Sequence, residues 1–186
     1  NLQTTLAYWH LEFDSELIYA ADSGSTRPGR PSRRTGVEWG NHWTPDSKFL
    51  MDVNLAWTTP RYANLDPAGN HIPNAVEKVA NVSLALRNMG PWSGSIGFRY
   101  IGAAALIEDN SVRSEPSLTV NARVSRKMSD QIDVTLDVLN LTDRKNNDIS
   151  YYYASRLAGE PVAGISGAHV HPAEPRTLRL TASVRF

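Results

Sequence analysis

Three consecutive tyrosines, Tyr151, Tyr152 and Tyr153, precede Arg156, and His169, His171 and Glu174 follow within the same stretch. Phenol, guanidinium and imidazole groups supply hydrogen bonds and, for histidine, a metal-binding nitrogen. If residues 169–171 are extended, both imidazoles point to one face, and Glu174 is placed to complete a mixed nitrogen and oxygen ligand set. This chemistry suits contact with a small molecule or a metal chelate. The competing reading is that the same groups hydrogen-bond to one another within a packed loop. Two histidines without a defined third ligand favour that reading over a resident metal. The segment, residues 143–175, is nevertheless longer than most connections, and loops of that length are commonly functional.

Other chemistry is absent from the sequence. It contains no nucleophile elbow, no His-Glu-x-x-His and no phosphate-binding Gly-x-x-x-x-Gly-Lys, so no catalytic residue is assigned and no cofactor is implied. There is no cysteine, which excludes a thiolate metal site and a cysteine nucleophile. Nineteen basic and nineteen acidic side chains cancel, and with no net positive charge a nucleic-acid partner is not expected.

The elements that must position these residues alternate with period two, the mark of a strand with one apolar face. In residues 177–186, Leu178, Leu180, Ala182, Val184 and Phe186 oppose Thr177, Arg179, Thr181, Ser183 and Arg185. The same template recurs in residues 131–139 and 117–125, and around Val53, Val82 and Phe98. Near the start, Trp9, Leu11 and Phe13 oppose Tyr8, His10, Glu12 and Asp14. Val37 and Trp39 form a weaker set, and residues 16–21 the least decisive one. The expected fold is therefore all-β, an antiparallel up-and-down meander of about nine strands. Short connections at 14–15, 44–48, 88–91 and 126–130 alternate with long ones at 22–32, 58–75, 104–116 and 142–175, as such a meander requires.

Two architectures share this pattern, a soluble β-sandwich and an outer-membrane barrel. Charged residues at mid-strand on the polar face favour the barrel, in which Tyr8, His10, Glu12, Arg99, Arg123, Arg179 and Arg185 would face a wet lumen. The barrel also reconciles the mean hydropathy of −0.38 with a membrane setting, because only every second strand residue must be apolar. Trp9, Trp39, Trp43, Trp57, Trp92, Tyr62, Tyr100 and Phe186 lie mostly near strand ends, where amphipathic rings settle at the headgroup level.

Four stretches carry a resemblance. They are Pro31-Ser-Arg-Arg-Thr-Gly-Val-Glu38; Tyr100-Ile-Gly102 followed by Asp109-Asn-Ser-Val-Arg-Ser114; Val138-Leu-Asn-Leu-Thr-Asp143; and the terminal strand ending in Phe186. Together they resemble the C-terminal part of the β-barrel of TonB-dependent outer-membrane receptors.

The resemblance implies 22 strands, with residues 1–186 as the C-terminal portion and the plug domain and N-terminal strands outside them. The lack of an initiator Met and of a charged-then-apolar leader is read the same way, as the mark of a piece of a longer protein. It implies uptake of a scarce nutrient such as a ferric siderophore across the bacterial outer membrane, with no enzymatic step and energy from a TonB-type partner. Outer-membrane lipid and the outer-membrane assembly machinery are the other implied partners, the latter reading Leu180, Val184 and Phe186 in the terminal strand. That end is then periplasmic, which places the short turns in the periplasm and the long loops outside. The alternatives are a small stand-alone outer-membrane barrel, adhesin or enzyme, and a soluble sandwich that binds a ligand.

Overall fold

The computed structural model describes residues 1–20 and 24–186. These residues form twelve strands and no helix: β1 (Leu2–Phe13), β2 (Leu17–Ala20), β3 (Ser25–Pro28), β4 (Ser32–Trp43), β5 (Phe49–Tyr62), β6 (Lys78–Met89), β7 (Trp92–Ile101), β8 (Ser117–Lys127), β9 (Ile132–Leu139), β10 (Asn147–Ser155), β11 (Ile165–Pro172) and β12 (Thr177–Val184). Eight make one antiparallel sheet in the order β1-β4-β5-β6-β7-β8-β9-β12, and β2–β3 and β10–β11 are separate hairpins inside two of the long connections.

The turns at one end are short and locally determined. The Asp46 carboxylate accepts from the N–H groups of Lys48 (2.7 Å) and Phe49 (2.8 Å), which closes the β4–β5 turn and holds its carboxyl below the usual range, the Phe49 bond contributing most. Asn88 and Gly90 take positive φ (54° and 65°) at the β6–β7 turn. Ser129 caps the β8–β9 turn by accepting from the N–H groups of Gln131 and Ile132.

Eight sheet strands stand where about nine were expected. The segment 16–21 is not a ninth rung: β2 turns back on β3 from Leu17↔Pro28 to Ala20↔Ser25. Residue 21, and residues 22 and 23 of the expected long connection, lie outside the described residues. Consequently the bend at Asp14–Ser15 belongs to the long-loop end, and β1 runs toward that end rather than away from it.

Register fixes which side chains share a face. Val37, Trp57 and Lys78 follow one another across β4–β6, and Leu6, Trp39, Leu55, Ala80, Tyr100 and Leu118 form the next row. These rows, with Leu136, Val138, Leu178, Leu180 and Val184, make an apolar face whose side chains are largely uncovered, Leu180 being 73% exposed. Tyr8 pairs with Val37 and His10 with Thr35, so Tyr8, His10 and Glu12 lie on the apolar face, not with the lumen-facing set expected for them. Trp9, Leu11 and Phe13, expected on the apolar face, take the polar face instead, and Trp9 is fitted to it. Its ring lies against Gly36, where an added Cβ would sit 2.3 Å from it, and its Nε1–H donates to Glu38 at 3.0 Å.

Arg99, Arg123, Arg179 and Arg185 do share the polar face. Arg123 Nε lies 2.6 Å from Asp137, which also stands opposite Arg179, and Arg185 pairs with Asp133. Across the sheet His42 meets Asp52 at 2.6 Å.

The substantial strand contacts are those of the ladders, and no second sheet packs on the eight-stranded one among the described residues. This removes the sandwich, which needs two sheets face to face. Apart from Val120 within β8, the buried apolar residues Tyr62, Ile72, Ala104, Ala105 and Leu106 lie instead at or beyond the strand ends, under the long loops.

Candidate functional site

The long loops are knitted together by charge. Arg30, between β3 and β4, reaches Asp66 (3.1 Å) in loop 63–77 and Glu108 (2.9 Å) in loop 102–116, donates to the Gly69 carbonyl, and stacks over the Tyr62 ring at 3.9 Å. Glu77 is shared by Arg61 (3.1 Å) and Arg113 (2.9 Å). Burial works to raise the Glu77 carboxyl, but hydrogen bonds from Arg113 and Arg61 outweigh it and hold the group below the usual carboxylate range.

The last loop is anchored where β9 ends. Asn140, buried and at φ 48°, leaves the strand in the left-handed region that asparagine tolerates. Its amide donates to the carbonyls of Arg144 (3.0 Å) and Glu174 (3.2 Å), and its side-chain oxygen accepts from the Arg144 N–H (3.1 Å). Asp143, also at positive φ, accepts from the Arg176 N–H (3.0 Å). Both ends of the loop are thus tied at one point, and the Asn-Leu-Thr-Asp motif is the knot.

From that knot rises the β10–β11 hairpin, a ladder with one register shift between Asn147 and Ile149, where the sequence was read as a long loop. Tyr151 pairs with His169, Tyr153 with Gly167, and Ile149 with His171, which puts Tyr151, Tyr153, His169 and His171 on one face. The Tyr153 and His169 rings stack at 3.9 Å with an interplanar angle of 16°. Tyr151 reaches across to Tyr19 of the β2–β3 hairpin, ring centroids 5.9 Å apart. Burial, with Tyr19 adding to it, pushes the Tyr151 phenol up, so it remains a hydrogen-bond donor at neutral pH.

Between the two hairpins lies a cavity of ≈570 Å³, a ligand-sized space. Tyr19, Tyr151, Tyr152 and Tyr153 line it together with Arg27, Arg34, Glu16, the segment 72–76 and Leu106. Arg34 is held by Glu16 at 2.6 Å. The wall mixes aromatic rings and apolar groups with polar ones, Arg27 and Arg34 being its cations and Glu16 its acid, an arrangement that can stack a planar ligand and hydrogen-bond its edges.

The expected site residues divide. Tyr151, Tyr152 and Tyr153 line the cavity, with His169 behind them against Tyr153. Arg156 turns to the hairpin tip, donating to the Glu160 carbonyl at 3.1 Å, and neither His171 nor Glu174 is among the lining residues. No cluster of three or more His, Asp or Glu side chains placed to hold a metal ion occurs among the described residues. Tyr19, Arg27, Arg34 and Glu16 were missed, because nothing in the sequence brings the first loop to the last. Only the paired arginines of the Pro31–Glu38 motif hinted at Arg34.

A family model described as TonB dependent receptor-like, beta-barrel matches residues 1–141. No curated protein sequence matches the chain. Among solved structures, the ferric-catecholate import receptor Fiu from E. coli K12 is 22% identical, with a TM-score of 0.72 over 100% of this chain and 25% of its own. The ferric yersiniabactin uptake receptor FyuA from Yersinia pestis is 19% identical, with a TM-score of 0.73 over 100% of this chain and 27% of its own. The ferric citrate transporter FecA is 17% identical, with a TM-score of 0.71 over 100% of this chain and 29% of its own. The chain therefore spans between a quarter and a third of the length of these structures. They are receptors and transporters rather than enzymes, and the TM-scores show that the chain shares their fold. With the family model matching well over half its length, the chain belongs to the TonB-dependent receptor-like β-barrel family, whose barrels reside in the bacterial outer membrane.

Proposed function

We propose that residues 1–186 form the C-terminal portion of a 22-stranded outer-membrane receptor for TonB-dependent uptake of a scarce nutrient, a ferric siderophore being the leading class. The observation that carries the cargo assignment is the tyrosine- and arginine-lined cavity between the first and last loop hairpins. In this reading the apolar face meets outer-membrane lipid and the polar face lines the lumen. Arg99, Arg123, Arg179 and Arg185 belong to the lumenal wall that a plug domain would meet. A TonB-type protein supplies energy through the N-terminal part, and the assembly machinery reads Leu180, Val184 and Phe186. The small cargo first meets Tyr151, Tyr152 and Tyr153.

The sheet edges support this over a stand-alone barrel. An eight-stranded barrel closes by pairing its first strand with its last, whereas β1 and β12 here stand at opposite edges.

The test is transport by the full-length protein. In an iron-starved outer-membrane host, uptake of labelled iron is measured across a panel of ferric chelates, with and without the energy-coupling partner. Uptake of one chelate class that needs both receptor and partner is expected. Uptake that persists without the partner would sink the proposal.

A further inference from the structure

We infer that the polar face of sheet strands β6, β7, β8, β9 and β12 carries a trough that binds a small molecule bearing ionised carboxylates, which assigns the cargo to anionic chelates. This rests on the transport reading above, which makes that face the lumenal wall, and deepens it by naming the charge of what passes.

The charge left over on this face is positive. Four acids stand on the polar face of the sheet strands, and each is engaged: Glu38 by the Trp9 N–H, Asp52 by His42, Asp133 by Arg185 and Asp137 by Arg123. Arg34 and Lys127 are likewise held, by Glu16 and Asp130. Arg99 and Arg179 are exposed, and neither has a hydrogen bond or ion pair of its side chain among the described residues. Asp137 is the register partner of both Arg123 and Arg179, so one carboxylate, 7% exposed, stands between two guanidiniums.

The shape follows from the same strands. Across β5–β8, Asn54, Asn81, Arg99 and Thr119 form one row. The next row on that face is Ser83, Gly97 and Asn121, and beyond it Ser95 faces Arg123. Gly97 leaves the floor open, since an added Cβ there meets nothing within 4 Å. Two cavities, ≈270 Å³ at Arg99 and ≈260 Å³ at Arg123 and Asp137, are both lined by Ser83, Gly97 and Asn121, which joins them into one trough. Thr119, the partner of Arg99, and Arg123 are two same-face positions apart on β8, about 13 Å along the strand. Asn121 Oδ1 accepts from the Asn140 N–H at 2.9 Å, which leaves the Asn121 amide N–H groups as further donors. The segment 72–76 and Leu106, which wall the loop cavity, lead into β6 and out of β7, so the trough continues from that cavity along the same two strands.

Guanidiniums at both ends, with amides and hydroxyls between them, suit a ligand that carries an ionised carboxylate at each end of a polar body. A cationic ligand finds no free acid here, and a neutral one leaves Arg99 and Arg179 as they are.

Equilibrium dialysis of the full-length receptor in detergent measures binding of labelled tricarballylate, a triacid, and of its uncharged trimethyl ester. The wild type is expected to hold the triacid about tenfold more tightly or better, the effect of one charge-assisted contact. Arg99→Gln and Arg179→Gln should each weaken triacid binding about tenfold, and Arg99→Lys should retain most of it. Arg87→Gln, at the β6–β7 turn, should leave it unchanged. Arg99 makes no bond that its loss would break, so Arg99→Gln carries the test even if Arg179→Gln disturbs Asp137 and the fold. Equal binding of acid and ester, or triacid binding that survives Arg99→Gln, would overturn the trough. So would an affinity that falls with Arg27→Gln instead, which puts the anion in the loop cavity, and an absence of triacid binding by the wild type, which leaves the trough to the plug domain. Uptake confined to uncharged chelates would overturn the cargo class. Arginine-dependent triacid binding by a protein that takes up no chelate would remove the transport reading and keep the trough, so the two failures are distinguishable.

Discussion

The side-chain amide of Asn146 spans the main chain of Leu118, accepting from its N–H at 3.2 Å and donating to its carbonyl at 2.9 Å. A side chain here takes the place of a neighbouring strand. The Ala173 N–H then bonds to the Asn146 carbonyl at 2.9 Å, so the same residue ties the returning chain. Asn146→Ala leaves two main-chain groups of Leu118 without partners, and Asn140→Ala loses its own bonds at positive φ. Each is expected to destabilise the full-length receptor by about 2 kcal/mol or more, read from urea unfolding. Asn146→Asp should recover only part of the loss, because a carboxylate accepts from the N–H but opposes the carbonyl.

Facing is testable on the terminal strand and on β1. Leu180→Arg is expected to cost ~2–4 kcal/mol in membrane insertion if it lies near mid-membrane, and Arg179→Leu much less. Residues 1–186 contain no cysteine, so within them Tyr8→Cys and Ala7→Cys each introduce a single thiol for labelling. A membrane-partitioning maleimide should modify position 8 and a water-soluble one position 7. The reverse pattern would contradict the register of β1 against β4.

Acid should loosen the loop cap through Glu77. Its folded-state carboxyl lies below the ordinary range, so its contribution is complete above the unfolded value and is lost as pH falls through the folded one. Amide protection factors in loops 63–77 and 102–116 are expected to hold steady above the ordinary carboxylate range and to drop as pH falls below it. Glu77→Gln should remove the step and raise exchange at neutral pH. A step of unchanged size in that variant would assign it to other carboxylates.

Cargo affinity should follow the tyrosines rather than the histidines. Tyr151→Ala is expected to weaken cargo binding about tenfold and Tyr151→Phe only a few-fold, separating ring contact from the phenolic hydrogen bond. His169→Ala with His171→Ala should leave the affinity for free divalent metal ions unchanged, as measured by calorimetry, since no three-ligand cluster includes them. A loss of metal affinity in that variant would restore the metal reading.

Much of the sheet is legible in the sequence because a strand between lipid and water writes its two environments on alternate residues. The rows through Val53, Val82, Phe98, Val120, Leu136 and Leu180 follow that rule. β1 misleads because both of its faces carry aromatics. Trp9 reads as apolar, yet its indole N–H finds Glu38 and its ring fills the space over Gly36, so it suits the polar side. The run Leu17-Ile-Tyr-Ala20 has strand chemistry, but four residues cannot show whether the strand joins the sheet or doubles back within a loop. At the site, the tyrosine run was visible, and its strand character was signalled by Ile149, Tyr151 and Tyr153 alternating along it. Its partner Tyr19 was not, since a contact between residues 19 and 151 depends on the curvature of the whole sheet.

The placement of the buried residues has a thermodynamic consequence. Ile72, Ala104, Ala105 and Leu106 are shielded from water by the protein itself, whereas Leu6 and Leu180 are shielded by whatever solvent surrounds the sheet. Unfolding the loop cap therefore exposes apolar surface to water and should carry a positive heat-capacity change and a urea slope. Releasing the wall from a bilayer need carry neither in the same proportion. One chain thus contains a water-driven half and a lipid-driven half, and a change of membrane thickness or acyl composition should shift the melting of the second while leaving the first where it is.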